Sequence, residues 1–214
     1  MSPRPFTSSI PKALLDSVQA GTMRYMYKGI PTLKNPFDLA LYTRLLWDVK
    51  PRTLIEIGSY KGGSAIWFAD QMRSMGIDGR IFSLDIIAVQ DVSDPIVSFM
   101  TSDSLASAMP RDWLNGLPRP MMVIEDSAHT FEHTLSVLRH FADVMRPGEY
   151  LIVEDAIVTP MGIEFDGGLN GGPALAIQQF LSGRTDFAID PELCDYFGFN
   201  VTYNVNGYLK KVIS

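Results

Sequence analysis

One cysteine, Cys194, occurs in 214 residues, so no internal disulfide can form. That usage fits a reducing, cytoplasmic setting. No apolar run approaches the length of a membrane span. The opening stretch, MSPRPFTSSIPKALLDSV, has neither a long apolar core nor a small-residue cleavage site, so no signal peptide is expected. An excess of positive charge is also missing. The formal net charge is −6 and the sequence pI about 5.0, which argues against a broad electrostatic footprint for nucleic acid. Internal repeats and low-complexity tracts are absent. What is present, 46% hydrophobic and 20% charged residues, suits a globular chain with a substantial core. The length fits one large domain over residues 1–214.

Signals along the chain divide it into an entry and an alternating body. Ser9 and Pro11 predict a short helix ending near Gly21. An extended stretch, YMYKGIPTLKNP, follows. Asn35 is a helix cap, with Pro36 at the first position, Asp38 in the first turn, and Phe37, Leu41 and Leu45 on one apolar face. Residues 1–50 thus read as a helical extension or lid. From Thr53 the pattern alternates. TLIEI, RIFSLD, PIVSFM, MMVIED and YLIVED are strand runs, with helical segments after TLIEI, PIVSFM, MMVIED and YLIVED, and FAID and NGYLKKVI read as closing strands. Mostly non-alternating apolar strands between helices predict a parallel sheet covered on both faces. Such sheets bind ligands beyond the carboxyl ends of their strands.

Three features at those ends carry chemistry. EIGSYKGGS, residues 56–64, joins a strand to a helix. Gly58 allows a tight turn there, and Gly62 and Gly63 allow close approach of a ligand. The turn is neither G-x-G-x-x-G nor a P-loop. Asp85 ends the second strand, where an acid meets ribose hydroxyls. Asp126 ends the MMVIED run, but His129 to His133 also spell H-x-x-E-H, the zinc signature of one protease class. On the zinc reading His129 and His133 share one helix face. His140 continues that face as a polar stripe opposite a core of Phe131, Leu138 and Met145. On the other reading the strand delivers a carboxylate to a site at its end, and His129 in the first helical turn is a candidate general base.

The chain resembles class I S-adenosylmethionine-dependent methyltransferases, and more closely the cephalosporin hydroxylase / rhamnosyl O-methyltransferase family. The resemblance runs from about Tyr25 to the C-terminus. It rests on KGIPTLKNPFDL, IEIGSYKGGSAIWFA, DSAHTFEH, IVEDAIV, GGPALAIQQFL and NGYLKKV. It implies a Rossmann-like sheet, mostly parallel, with the last strand antiparallel and helices on both faces. Glu56, Gly58 and Ser64 would hold the methionine end of the cofactor, Asp85 its ribose, and Asp103 and Ser104 would lie near its adenine. Ser59, Gly63 and Asp126 complete the expected cofactor set. Asp126, Glu154 and Asp155 end two strands that neighbour each other in that topology, so three carboxylates would converge. A hard divalent cation, Mg²⁺ with Mn²⁺ or Ca²⁺ as substitutes, would relieve their repulsion.

The expected function is cation-dependent transfer of the methyl group of S-adenosylmethionine to a hydroxyl of a small molecule, on a sugar or another natural product. Tyr25–Asn35 and the glycine loop 162–172 are the expected acceptor walls. The stretch 191–207 departs from the family pattern and is expected to alter the acceptor pocket. The rival readings are a nicotinamide-dependent oxidoreductase and a non-catalytic cofactor-binding relative. No nucleic-acid or membrane partner is expected, and association of identical copies is open.

Overall fold

The computed structural model describes residues 4–162 and 168–213. Helix α1 (Lys12–Thr22) leads to a small antiparallel hairpin, β1 (Met26–Tyr27) and β2 (Ile30–Pro31). Helix α2 (Pro36–Val49) follows, capped by Asn35, whose side chain accepts from the backbone of Phe37 and Asp38. Its last residue gives way to Lys50 in the left-handed region, just before Pro51. The body then runs β3 (Thr53–Ile57), α3 (Gly63–Ser74), β4 (Arg80–Asp85), β5 (Val97–Thr101), α4 (Leu105–Ala108), α5 (Arg111–Gly116), β6 (Met121–Glu125) and α6 (Phe131–Ala142). It closes with β7 (Tyr150–Val153), α7 (Val158–Met161), α8 (Gly172–Leu181), β8 (Phe187–Ile189), α9 (Pro191–Cys194) and β9 (Tyr208–Lys211).

Seven strands form one sheet in the order β5-β4-β3-β6-β7-β9-β8. The pairs from β5 to β7 are parallel, and β9 runs antiparallel to both of its neighbours. This is the expected doubly wound sheet with a reversed last strand. Every residue of β3 and β6 is buried, because helices cover both faces. Strand side chains alternate between the two covers. Leu54, Met122 and Ile152 meet Leu41, Leu45, Phe68 and Met72 of α2 and α3. Ile55, Val123 and Leu151 meet Leu138 and Phe141 of α6 and Ile177 and Phe180 of α8.

The strand order reverses between β3 and β6, which opens a crevice at their carboxyl ends. There Ile57 pairs with Glu125, and Asp126 donates its backbone N–H to Ile57 at 2.8 Å. The chain after β3 passes so close to β6 that a Cβ on Gly58, at φ +107°, would lie 1.9 Å from the Asp126 carbonyl oxygen. Only glycine fits.

Gly63 has a different reason from the expected one. A Cβ there would meet Thr32 Oγ1 at 2.0 Å and the Pro31 carbonyl at 2.5 Å. The close approach is to the chain's own hairpin segment, not to a ligand. Gly63 therefore sets how the 31–34 stretch sits on α3. Replacing Gly63 with Ala should destabilise the fold by about 1–3 kcal/mol, the usual cost of overpacking. It should also speed proteolytic cleavage within residues 24–34 ahead of the body. Equal cleavage rates in limited proteolysis would show that the hairpin is not seated through this contact.

Candidate active site

A cavity of about 530 Å³ opens over the switch point. The tips of β3, β4 and β6, the loops after them, Asp155 and the 31–34 stretch line it. Of the expected cofactor residues, Gly58, Ser59, Ser64, Asp85, Asp103 and Asp126 face the cavity. Asp85 is held at the rim: its two oxygens accept from Tyr60 N–H at 2.8 Å and Ile87 N–H at 3.1 Å.

Glu56, Gly63 and Ser104 do not line the cavity. Glu56 is fully buried beneath the turn, where it accepts from the Ser83 hydroxyl, which also pairs with Ser59 Oγ at 2.6 Å. It supports the turn from below, because residue 56 lies in the covered strand rather than at its tip. Burial raises its pKa, and the nearby Lys34 partly offsets that. Ser104 instead caps α4, accepting from Ser107 N–H at 3.3 Å, and Ser102 takes the place at the wall.

At the other side of the cavity Asp126, His129 and Asp155 each offer a ligand atom, all within 4.8 Å of one another. His129 Nε2 lies 3.5 Å from Asp155 Oδ2 and 3.8 Å from Asp126 Oδ1. Both His129 (φ 54°) and Asp155 (φ 57°) have left-handed backbones. Non-glycine residues adopt that conformation at a cost, and such outliers cluster at functional sites. His129 therefore lies outside helix α6, which begins at Phe131 with Thr130 as its cap. His133, one turn inside, is exposed at the cavity rim. The two histidines do not share a helix face, and His133 is not in the three-residue group. His140 is used elsewhere, its Nε2 2.9 Å from the Met109 carbonyl. The zinc-helix reading fails on this geometry.

Glu154 stands apart from the three. Successive residues at a strand end turn to opposite sides, so Asp155 faces the cavity while Glu154 enters the buried layer under α2. There Glu154 Oε1 accepts from Tyr42 OH at 2.6 Å and pairs with Lys34 Nζ at 2.7 Å. Lys34 also binds Asp126 Oδ2. Burial alone would lower the Lys34 pKa, but Asp126, Glu154 and Glu56 outweigh it and raise the value. Burial and the Asp126 charge raise Glu154 well above its ordinary range. Asp155 is pushed up to about 6 by burial and by Asp126, with His129 opposing.

The donor set of two carboxylates and one imidazole fits a hard or borderline divalent cation. The buried His129 Nδ1 has no hydrogen-bond partner among the described residues, and Nε2 faces the two carboxylates. Residues 31–34 of the expected 25–35 wall do line the cavity, but the charge role of Lys34 was not foreseen, and Tyr60, Ile86 and Ser127 were not expected as lining residues. Lys34 sits in an aperiodic extended stretch. The one usable signal for it was charge: acids at three strand ends with no base assigned to balance them.

The expectation for 191–207 is corrected. None of these residues lines the cavity. Asn200, Thr202, Asn204 and Asn206 are fully buried, and Asp38, also buried, accepts from Thr202 Oγ1, from Tyr203 N–H at 3.0 Å and from Tyr208 OH at 3.1 Å. The stretch is a polar brace behind the site. The expected glycine-loop wall lies partly outside the described residues. Its end, 168–172, joins the start of α6, where Phe131 N–H donates to the Leu169 carbonyl at 3.0 Å and Asn170 to Glu132 at 3.0 Å.

Comparison with known proteins gives the site a context. The model of the Rhamnosyl O-methyltransferase/CmcI family matches residues 19–212. The chain belongs to this family. The Rhamnosyl O-methyltransferase of Mycobacterium leprae is 31% identical over 193 residues, covering 86% of this chain and 81% of that protein. The one from Mycobacterium tuberculosis is 29% identical over 191 residues, with 86% and 76% covered. A solved CmcI structure with Mg and SAM aligns with a TM-score of 0.69 at 26% identity, covering 89% of this chain and 77% of that chain. For this Rhamnosyl O-methyltransferase/CmcI family member, the matched span contains every cavity-lining residue named above.

An ion held by Asp155 should bind in a pH-dependent way. A carboxylate raised to about 6 is ionised above that value and protonated below it, and protonation removes a ligand. Mn²⁺ affinity measured by calorimetry should therefore fall as pH drops from 7 to 5. Substituting Asp155 with Asn should weaken binding at pH 7 and flatten the profile. A pH-independent affinity would exclude Asp155 from the ligand set.

Proposed function

We propose that the chain is a cation-dependent O-methyltransferase that moves the methyl group of S-adenosylmethionine to a hydroxyl of a small molecule, on a sugar or another natural product. One observation carries the reading: Asp126, His129 and Asp155 meet in the same cavity as the Gly58 turn and Asp85. Family membership supports it. A nicotinamide enzyme is disfavoured, because the turn at Gly58 lacks the dinucleotide glycine pattern. Among the described residues no helix is long and apolar enough to cross a membrane. A cytoplasmic setting remains part of the proposal, with Cys194 buried and free.

The methyl group is activated by its sulfonium before it reaches the protein, so the chain's task is mainly positioning. Asp85 at the rim would take the ribose hydroxyls, and Ser102 and Asp103 would flank the adenine. Gly58 and Ser59 in the cavity wall would face the methionine end. Asp126 and Asp155 would hold a divalent cation, which lowers the pKa of an acceptor hydroxyl when bound. His129 Nε2, beside both carboxylates, would accept the hydroxyl proton. Its left-handed backbone aims the ring back over the strand ends. Residues 31–34 form part of the cavity wall.

The reading is tested by binding and by rate. S-adenosylhomocysteine should bind in calorimetry and NAD should not, and Asp85→Ala should weaken that binding. Methyl transfer, followed by mass spectrometry on a panel of sugars and phenols, should stop in excess chelator and return with Mg²⁺ or Mn²⁺. His129→Ala should lower kcat by about a hundred- to ten-thousand-fold, the usual contribution of a general base, while His133→Ala changes little. Full turnover in chelator would refute the cation's role. A His129→Ala variant that loses Mn²⁺ binding would move His129 from base to ligand.

A further inference from the structure

Lys34 is a nearly fully buried lysine, its side chain 3% exposed. A buried ammonium is costly and persists only when paired. Its two partners are Asp126 and Glu154. The two oxygens of Asp126 therefore point different ways. Oδ2 takes the ammonium, and Oδ1 faces His129 Nε2 at 3.8 Å in the cavity group. Asp126 is shared between an internal cation and the place where an external one would sit. Glu154 is fixed from a second side by Tyr42, which itself accepts from Asn204 Nδ2 at 3.3 Å.

We propose that Lys34 is a positioning residue and a built-in counter-cation, which orients Asp126 and sets how tightly the divalent ion is held. This rests on the methyl-transfer reading of the site. The charge count supports it. Among the three strand-end acids alone, Asp126, Glu154 and Asp155 carry three negative charges when ionised and Lys34 returns one, a difference of two that one divalent ion matches; Glu56, buried below and also acting on Lys34, stands outside this count. Without the ammonium the deficit is larger, so the site should hold the ion more tightly and release it less readily. Lys34 also belongs to the 31–34 cavity wall, seated on α3 through Gly63 and followed at once by the Asn35 cap of α2. The charge balance is thereby tied to the placement of that wall. A merely structural ion pair would stabilise the fold equally with and without the ion.

The test uses the full chain with Lys34→Met, Lys34→Gln and Lys34→Arg. Mn²⁺ is titrated by calorimetry in the presence of S-adenosylhomocysteine, where no turnover occurs, and melting is recorded with Mn²⁺ or with chelator. The two neutral variants should bind Mn²⁺ at least about tenfold tighter, since removing a nearby like charge in a poorly solvated site is a large electrostatic change. They should melt lower in chelator and recover most of that loss with Mn²⁺. A neutral variant that folds only with Mn²⁺ supports the proposal in the same way. Lys34→Arg should stay within about threefold of the wild type, because the charge is kept. Neutral variants that bind Mn²⁺ no more tightly, that lose the same melting temperature in both conditions, or that fail to fold even with Mn²⁺ would overturn it. If the wild type binds Mn²⁺ and S-adenosylhomocysteine normally, that failure falls on Lys34 alone. A wild type that binds neither would refute the methyl-transfer reading and this proposal with it.

Discussion

Repulsion among carboxylates at one edge of the sheet is the constraint on which the rest of the site depends. Parallel pairing of β6 with β7 brings Asp126 level with Glu154, whose backbone N–H donates to the Glu125 carbonyl at 2.9 Å. Asp155 comes with it. Acids this close cannot all ionise without cations. The chain answers in two ways. It turns Glu154 inward onto Lys34 and Tyr42, and it leaves Asp126 and Asp155 facing the cavity with His129. Lys34 pairs with both Glu154 and Asp126, so one internal cation serves the inward acid and part of the outward pair, while Asp155 faces the cavity beside His129.

The packing explains why those positions hold. Gly58 lets the β3 turn lie against the Asp126 carbonyl, so the two cavity edges cannot drift apart. Thr130 caps α6 immediately after His129, accepting from His133 N–H, which fixes where the helix begins and leaves His129 outside it. Behind Glu154, Asp38 and the 202–208 stretch form a buried hydrogen-bonded layer. Within it Tyr203 OH and Asn204 Oδ1 are buried without a hydrogen-bond partner among the described residues, so the layer is only partly satisfied. The strain at His129 and Asp155 is sustained by these neighbours.

Much of this was legible in the sequence. The strand–helix alternation and the Asn35 cap follow from local patterns, the strand-end positions of Asp85, Asp126 and Asp155 follow from the ends of apolar runs, and the reversed final strand came only with the family resemblance. What the sequence hid depends on direction and on distant partners. Residue counting put His129 in a helix, whereas a left-handed turn precedes the cap. Glu154 and Asp155 read as one feature, yet consecutive side chains diverge. Gly63 read as ligand space, but its neighbour is the hairpin segment brought in from residues 31–32. Lys34 and Asp38 reach the site layer from the N-terminal segment, and no periodicity encodes such a contact. The unusual 191–207 stretch read as a change to the acceptor pocket and is a brace behind it.

The central claim is that one cavity holds both the methyl donor and the cation that prepares the acceptor. Crystals grown with S-adenosylhomocysteine and Mn²⁺, examined by anomalous diffraction at the manganese edge, test it most directly. The account predicts one anomalous peak within ligand distance of Asp126 Oδ1 and Asp155, with S-adenosylhomocysteine lying over Gly58 and its ribose on Asp85. A peak away from those carboxylates, no peak at saturating Mn²⁺, or S-adenosylhomocysteine bound outside this cavity would contradict it.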